Sequence, residues 1–141
     1  MAQRIVRPAT AFSNSLSAST KKRPREKSEP HLKFVRKLPC LITGKYGVDP
    51  AHIRYGDPFY GKPDTGIGQK PHDRWTVPLH REVHIEQHEN NEREWWNEIG
   101  IDPLQVASAL WANTGDIEAA ELTLSAFRTK IKRTSGQVER W

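Results

Sequence analysis

Six histidines occur in the 141 residues, and five of them, His52, His72, His80, His84 and His88, fall between positions 52 and 88. A neutral imidazole ligates divalent metals with little deprotonation work near pH 7 and also serves as a general base, so such clustering points to metal or hydrolytic chemistry. His80, His84 and His88 are spaced four apart. On a helix all three project from one face, each neighbouring pair near enough to share an ion. The same stripe is equally compatible with a solvated polar face, and only its surroundings decide between the two.

Those surroundings divide into recognisable elements. Phe34, Val35, Leu38, Leu41 and Ile42 punctuate a stretch ending in Thr43-Gly44-Lys45-Tyr46-Gly47, which predicts a strand over 34–43 and a turn. A second strand is expected over 51–55, carrying His52. Residues 56–74 hold Gly56, Gly61, Gly66 and Gly68 with Pro58, Pro63 and Pro71, too many breakers for a helix or a central strand. Long irregular loops inside a small domain are usually functional. After Val77-Pro78-Leu79 the chain turns rich in Glu, Gln, Arg, Ile and Trp through Trp96, which predicts a helix interrupted or kinked at Asn90-Asn91 and stopped at Gly100. Asp102-Pro103 fits an N-cap followed by proline at the first helical position, and Asp116 starts another helix with Ile117, Ala120, Leu124, Phe127 and Ile131 at helical spacing. These last two form a helical hairpin. The paired Trp95 and Trp96 are suited to stacking on bases but more often belong to a core.

Strand, turn, histidine-bearing strand, irregular loop and histidine-bearing helix is the order of a ββα-metal nuclease. The chain resembles the HNH endonuclease superfamily, nearest to small prophage nucleases and phage recombination-enhancement nucleases. The likeness rests on Ala51-His52-Ile53-Arg54, Gly66-Ile67-Gly68-Gln69-Lys70-Pro71-His72-Asp73 and Val77-Pro78-Leu79-His80-Arg81-Glu82-Val83-His84, and it covers about residues 34–90. It implies a ββα-metal domain at 32–99; with a C-terminal helical hairpin at 100–141, packed on it or used for association, and a disordered basic tail at 1–31, both outside the likeness, the expected fold class is α+β. It also implies that His52 is the general base, that Asp73 orients His52 or approaches the metal, and that His84 with His88 holds one divalent ion (Mg, Mn or Zn). His80 with His84 is the alternative pair. Arg54, two residues beyond His52 on the expected strand, would face the same side and could hold the scissile phosphate. Lys70 is a candidate DNA contact, and His72 is expected to be an exposed polar residue.

Departures from the family pattern carry information too. Ala51 stands where many members place an Asp ligand, which implies a more open metal. Many members also bind a structural zinc through two Cys-x-x-Cys pairs, and the matching positions here are Cys40, Thr43, His80 and Val83. Tetrahedral zinc needs four good ligands. The expectation is that this site is lost, its place taken by apolar packing of Val83 and Leu41, with Cys40 buried.

The net charge of +5 is distributed unevenly, with ten Lys or Arg against two acids in residues 1–39 and seven against ten in residues 40–98. Lys21, Lys22, Arg23 and Arg25 form a run suited to attracting phosphate polymers without reading sequence. The lone cysteine excludes an internal disulfide and suits a reducing compartment, and no apolar run spans a bilayer. The resulting expectation is a cytoplasmic protein, bacterial or phage-encoded, with DNA as partner, no membrane, and self-association through the C-terminal helices. The competing function is a non-catalytic nucleic-acid-binding module on a degenerate HNH scaffold.

Overall fold

The computed structural model describes residues 25–65 and 70–131. The fold is α+β, with five helices and one two-stranded antiparallel sheet among the described residues. The first element is a helix rather than the expected strand: α1 spans Glu29–Arg36. Ser28 caps it by accepting from His31 N, Pro30 sits in its first turn, and Lys33 and Arg36 lie in its last turn, where cations offset the exposed carbonyls. The apolar residues read as a strand instead follow helical spacing, with Leu32, Phe34 and Val35 buried on α1 and Leu38 just beyond it. The folded part therefore reaches back past the expected boundary at residue 31, because His31 is itself buried, its Nδ1 2.8 Å from Thr114 Oγ1. Residues 1–24 lie outside the described residues, and so does the tail expected there.

After α1 the chain folds into a tight turn closed by Cys40 N to Lys45 O at 2.8 Å and Gly44 N to Cys40 O at 2.9 Å. The hairpin then forms between β1 (Val48–His52) and β2 (Thr76–His80), with Val48 opposite His80 and His52 opposite Thr76. The long Gly/Pro segment is thus the connection inside the hairpin, not a spacer after it. Pro50 and Pro78 sit opposite each other. This costs no ladder hydrogen bond, because the Pro78 carbonyl points away from β1 and accepts Leu41 N at 2.9 Å, so the missing N–H groups also point outward. Within the connection, a 3-10 turn at Pro58–Tyr60 is capped by Asp57 and ended by Gly61 at φ 68°. Gly56 allows the two limbs of this loop to pinch together, since a Cβ there would lie 2.5 Å from Asp64 N.

β2 runs directly into α2 (Arg81–Glu89), and α3 (Glu92–Ile99) follows after a break at Asn90 and Asn91. Asn91 Oδ1 accepts Glu94 N at 3.1 Å and restarts the helix, and Gly100 at φ 92° stops it, both as the sequence predicts. Asp102 caps α4 (Pro103–Ala112) and Asp116 caps α5 (Ile117–Arg128). This hairpin packs on the rest of the molecule: Trp95, Trp96, Leu104, Leu110 and Leu124 share one core cluster with Leu41, Val77, Leu79 and Val83. Arg128 Nη2 donates to Cys40 O at 2.8 Å and fastens α5 to the turn after α1. Cys40, Leu41 and Val83 are fully buried there, the apolar packing expected of those positions.

Candidate functional site

His52 ends β1 with a side chain 21% exposed, and its Nε2 lies 2.9 Å from Asp73 Oδ1. Asp73 sits in the loop before β2 and is held on every side. Its Oδ2 accepts Ser28 N at 2.8 Å, its N–H donates to Glu26 O at 3.0 Å, its carbonyl accepts Thr76 Oγ1 at 2.9 Å, and its Oδ1 also pairs with the Arg25 guanidinium. Burial alone would raise the Asp73 carboxyl, but the hydrogen bonds from His52 and Ser28 and the Arg25 charge outweigh it and hold the group below the usual carboxylate range. His52 is pulled below the ordinary histidine value, first by burial and further by the charges of Arg25 and Lys70, against the opposing pull of Asp73. At neutral pH the imidazole is therefore neutral. A carboxylate only accepts, so His52 donates through Nε2–H and its lone pair resides on Nδ1.

The second grouping is local. α2 sets His84 and His88 one turn apart with their Nε2 atoms 3.0 Å from each other. Two nitrogens bound to one ion at about 2.0–2.1 Å each stand roughly 3 Å apart in adjacent coordination positions, so this spacing suits shared ligation. Asp49 Oδ2 lies 3.5 Å from His84 Nδ1, on the ring edge away from His88. A carboxylate behind a ligating imidazole fixes its tautomer and raises its basicity. His84 is nonetheless lowered, by burial first and then by His88 and by the nearby His52, against Asp49. The effect of His52 on His84 shows that the two groupings lie within electrostatic reach of each other. Among the described residues no group of three or more His, Cys, Asp or Glu converges to hold a metal. The donors that α2 itself could offer a divalent ion are therefore the two imidazoles of His84 and His88, fewer than a closed protein site supplies.

Several residues named from sequence stand elsewhere. His80 is not on the helix face: it ends β2 and occupies the N-cap position of α2, because the helix begins only at Arg81, so the stripe shortens to His84 and His88. Arg54 lies beyond the end of β1, where strand alternation no longer applies. Its N–H donates to Glu92 Oε1 at 3.0 Å, and it lines a cleft of about 500 Å³ with Tyr55, Asp64, Asn91 and Arg93. Lys70 is exposed, and its charge reaches His52. His72 is half-buried rather than exposed, because its Nδ1 accepts Glu26 N at 2.6 Å. Arg25 is bound into the site, whereas Lys21, Lys22 and Arg23, along with Gly66 to Gln69 of the resembling string, lie outside the described residues. Cys40 Sγ accepts Thr43 N at 3.4 Å.

Sequence reasoning missed the brace from Ser28 and the carboxylate of Asp49, which no local spacing announces. The larger clefts lie on the Tyr55–Arg93 side, one of about 430 Å³ reaching Trp96 and Asp102, away from the imidazoles.

Residues 14–114 match the family described as protein of unknown function (DUF968), and the chain belongs to that family. No curated protein and no solved structure matches it.

Proposed function

We propose that this DUF968 member is a metal-dependent endonuclease that hydrolyses phosphodiester bonds of DNA, with His52 as general base. The single observation supporting this reading is the His52–Asp73 hydrogen bond together with the His84–His88 pair, whose His84 imidazole feels the charge of His52. His52 Nδ1 takes a proton from the attacking water, and Asp73 stabilises the imidazolium that forms through the Nε2–H bond. His84 and His88 would hold the divalent ion, His84 steadied by Asp49. Such an ion, when bound, stabilises negative charge on the phosphate and on the leaving oxygen. The resemblance to HNH enzymes supports a place in phage or prophage recombination or DNA processing, with the protein in the bacterial cytoplasm. Among the described residues no helix is long and apolar enough to cross a membrane.

The experiment is nicking of supercoiled plasmid with added Mg, Mn or Zn ions. His52→Ala should slow it by about 10²–10⁴-fold, the usual worth of a positioned general base, and cutting at the wild-type rate would remove His52 from the mechanism. His84→Ala should weaken both ion binding and cleavage. The two-imidazole ligand set also favours a second reading, a non-catalytic nucleic-acid-binding module on the same scaffold. It requires salt-sensitive DNA binding with no cleavage under any of these ions.

A further inference from the structure

Residues Arg25 to Ser28 lie across the loop that presents Asp73. Arg25 Nε donates to Pro71 O at 2.9 Å, Glu26 N donates to His72 Nδ1 at 2.6 Å, Glu26 O accepts Asp73 N at 3.0 Å, and Ser28 N donates to Asp73 Oδ2 at 2.8 Å. Ser28 in turn caps α1, so the end of this segment is fixed by a helix. The consequence is that one carboxylate oxygen, Asp73 Oδ1, bonds both the His52 imidazole and the Arg25 guanidinium. A guanidinium carries five N–H donors in a planar fork. The contacts to Pro71 and Asp73 use Nε and Nη2, which leaves donors over on a side chain that is 26% exposed. Lys70 adds a second positive charge near the same imidazole. Two cations, Arg25 and Lys70, thus act on the same imidazole as the Asp73 carboxylate, an arrangement suited to an anion.

Building on the endonuclease reading, we infer that Arg25 belongs to the site itself and binds a nonbridging oxygen of the scissile phosphodiester, delivered there by the docked Arg25–Ser28 segment. Guanidinium and phosphate match in planar, two-pronged geometry, which a lysine at this place would not reproduce. The binding of backbone phosphate is then built into the same carboxylate that orients the base. A nucleic acid engaging Arg25 arrives beside His52 without a separate positioning element.

The test compares full-length wild type with Arg25→Gln and Arg25→Lys. Plasmid nicking is followed at varied substrate concentration and pH, and binding of a short DNA duplex is measured against salt. Arg25→Gln should lower kcat by about 10²-fold, as loss of one preorganised donor to developing charge does. It should also shift the acid limb of the rate profile to higher pH, because a charge that disfavours protonated His52 is gone. Arg25→Lys should recover part of the rate and restore the limb. A merely structural clamp would instead lower Tm while kcat and the pH profile stay at wild-type values below that Tm, and this result overturns the inference. If wild type fails to cut with any of the added ions, the endonuclease reading fails by itself. Arg25 is then judged on the duplex: a salt slope reduced by about one in Arg25→Gln supports phosphate contact, and an unchanged affinity and slope overturn it.

Discussion

The two imidazole groupings are assembled in opposite ways. His84 and His88 come from adjacent turns of one short helix, and α2 alone sets their 3.0 Å approach. The His52–Asp73 dyad joins a strand end to a loop 21 residues later, and that loop is braced by a segment some 45 residues further back. Burial lowers both His52 and His84, but their carboxylate partners differ in kind. Asp73 is almost fully buried and bonded at 2.9 Å, whereas Asp49 is half-exposed and stands at 3.5 Å. The difference teaches where the candidate site and the fold share residues: the His52–Asp73 pair is a node of the fold, while the helical pair is a local feature resting on it.

Removing Asp73 should break that comparison most sharply. Asp73→Ala strips Arg25, His52 and the Ser28 N–H of their common acceptor, and breaking a buried charged pair costs about 3–5 kcal/mol. Urea unfolding should show the loss, whereas His88→Ala, on an exposed helix face, should stay within about 0.5 kcal/mol of wild type. Equal midpoints for the two variants would dissolve the distinction between node and local feature. Asp49→Asn should act in the reverse sense, weakening Zn or Mn binding by about 10–100-fold with little effect on folding. Calorimetric titration with the metal alone checks this, and an unchanged affinity would detach Asp49 from the pair.

The smallest effect concerns pH. His31, His52 and His84 all lie below 6.5 in the folded state. A depressed histidine binds fewer protons folded than unfolded near that value, so its contribution is complete above about pH 6.5 and falls away as pH drops through the folded value. Asp73, also depressed, adds a loss that begins only below the unfolded carboxylate range near 3.8. Unfolding free energy should therefore decline from about pH 6.5 downward in wild type. In His52→Ala the decline should be shallower, and an identical slope would show that the dyad titrates alike in both states.

Legibility in the sequence followed the range of the interactions. Asn91, Gly100, Asp102-Pro103 and Asp116 act within one helical turn, and they mark the boundaries of α3, α4 and α5 correctly. His84 and His88 were legible for the same reason. The apolar run from Phe34 to Ile42 misled because five spaced hydrophobics suit a strand as well as a helix followed by a turn. Ser28 and Pro30 were the local signal that decides for helix. β2 was hidden by Pro78, a residue that argues against a strand until its partner Pro50 and the outward carbonyl are known. Asp73 was legible only through the likeness to HNH enzymes. Arg25 read as one charge among several in a basic run, since nothing in its spacing reveals that it returns to a loop 48 residues away.

The facing prolines of the hairpin have an effect beyond register. Pro50 turns its nitrogen toward the outer margin of β1, where among the described residues no third strand lies. A margin lacking that donor is a poor template for another polypeptide to zip onto. Copies of this chain are thereby discouraged from fusing side to side through the element that ends in His52.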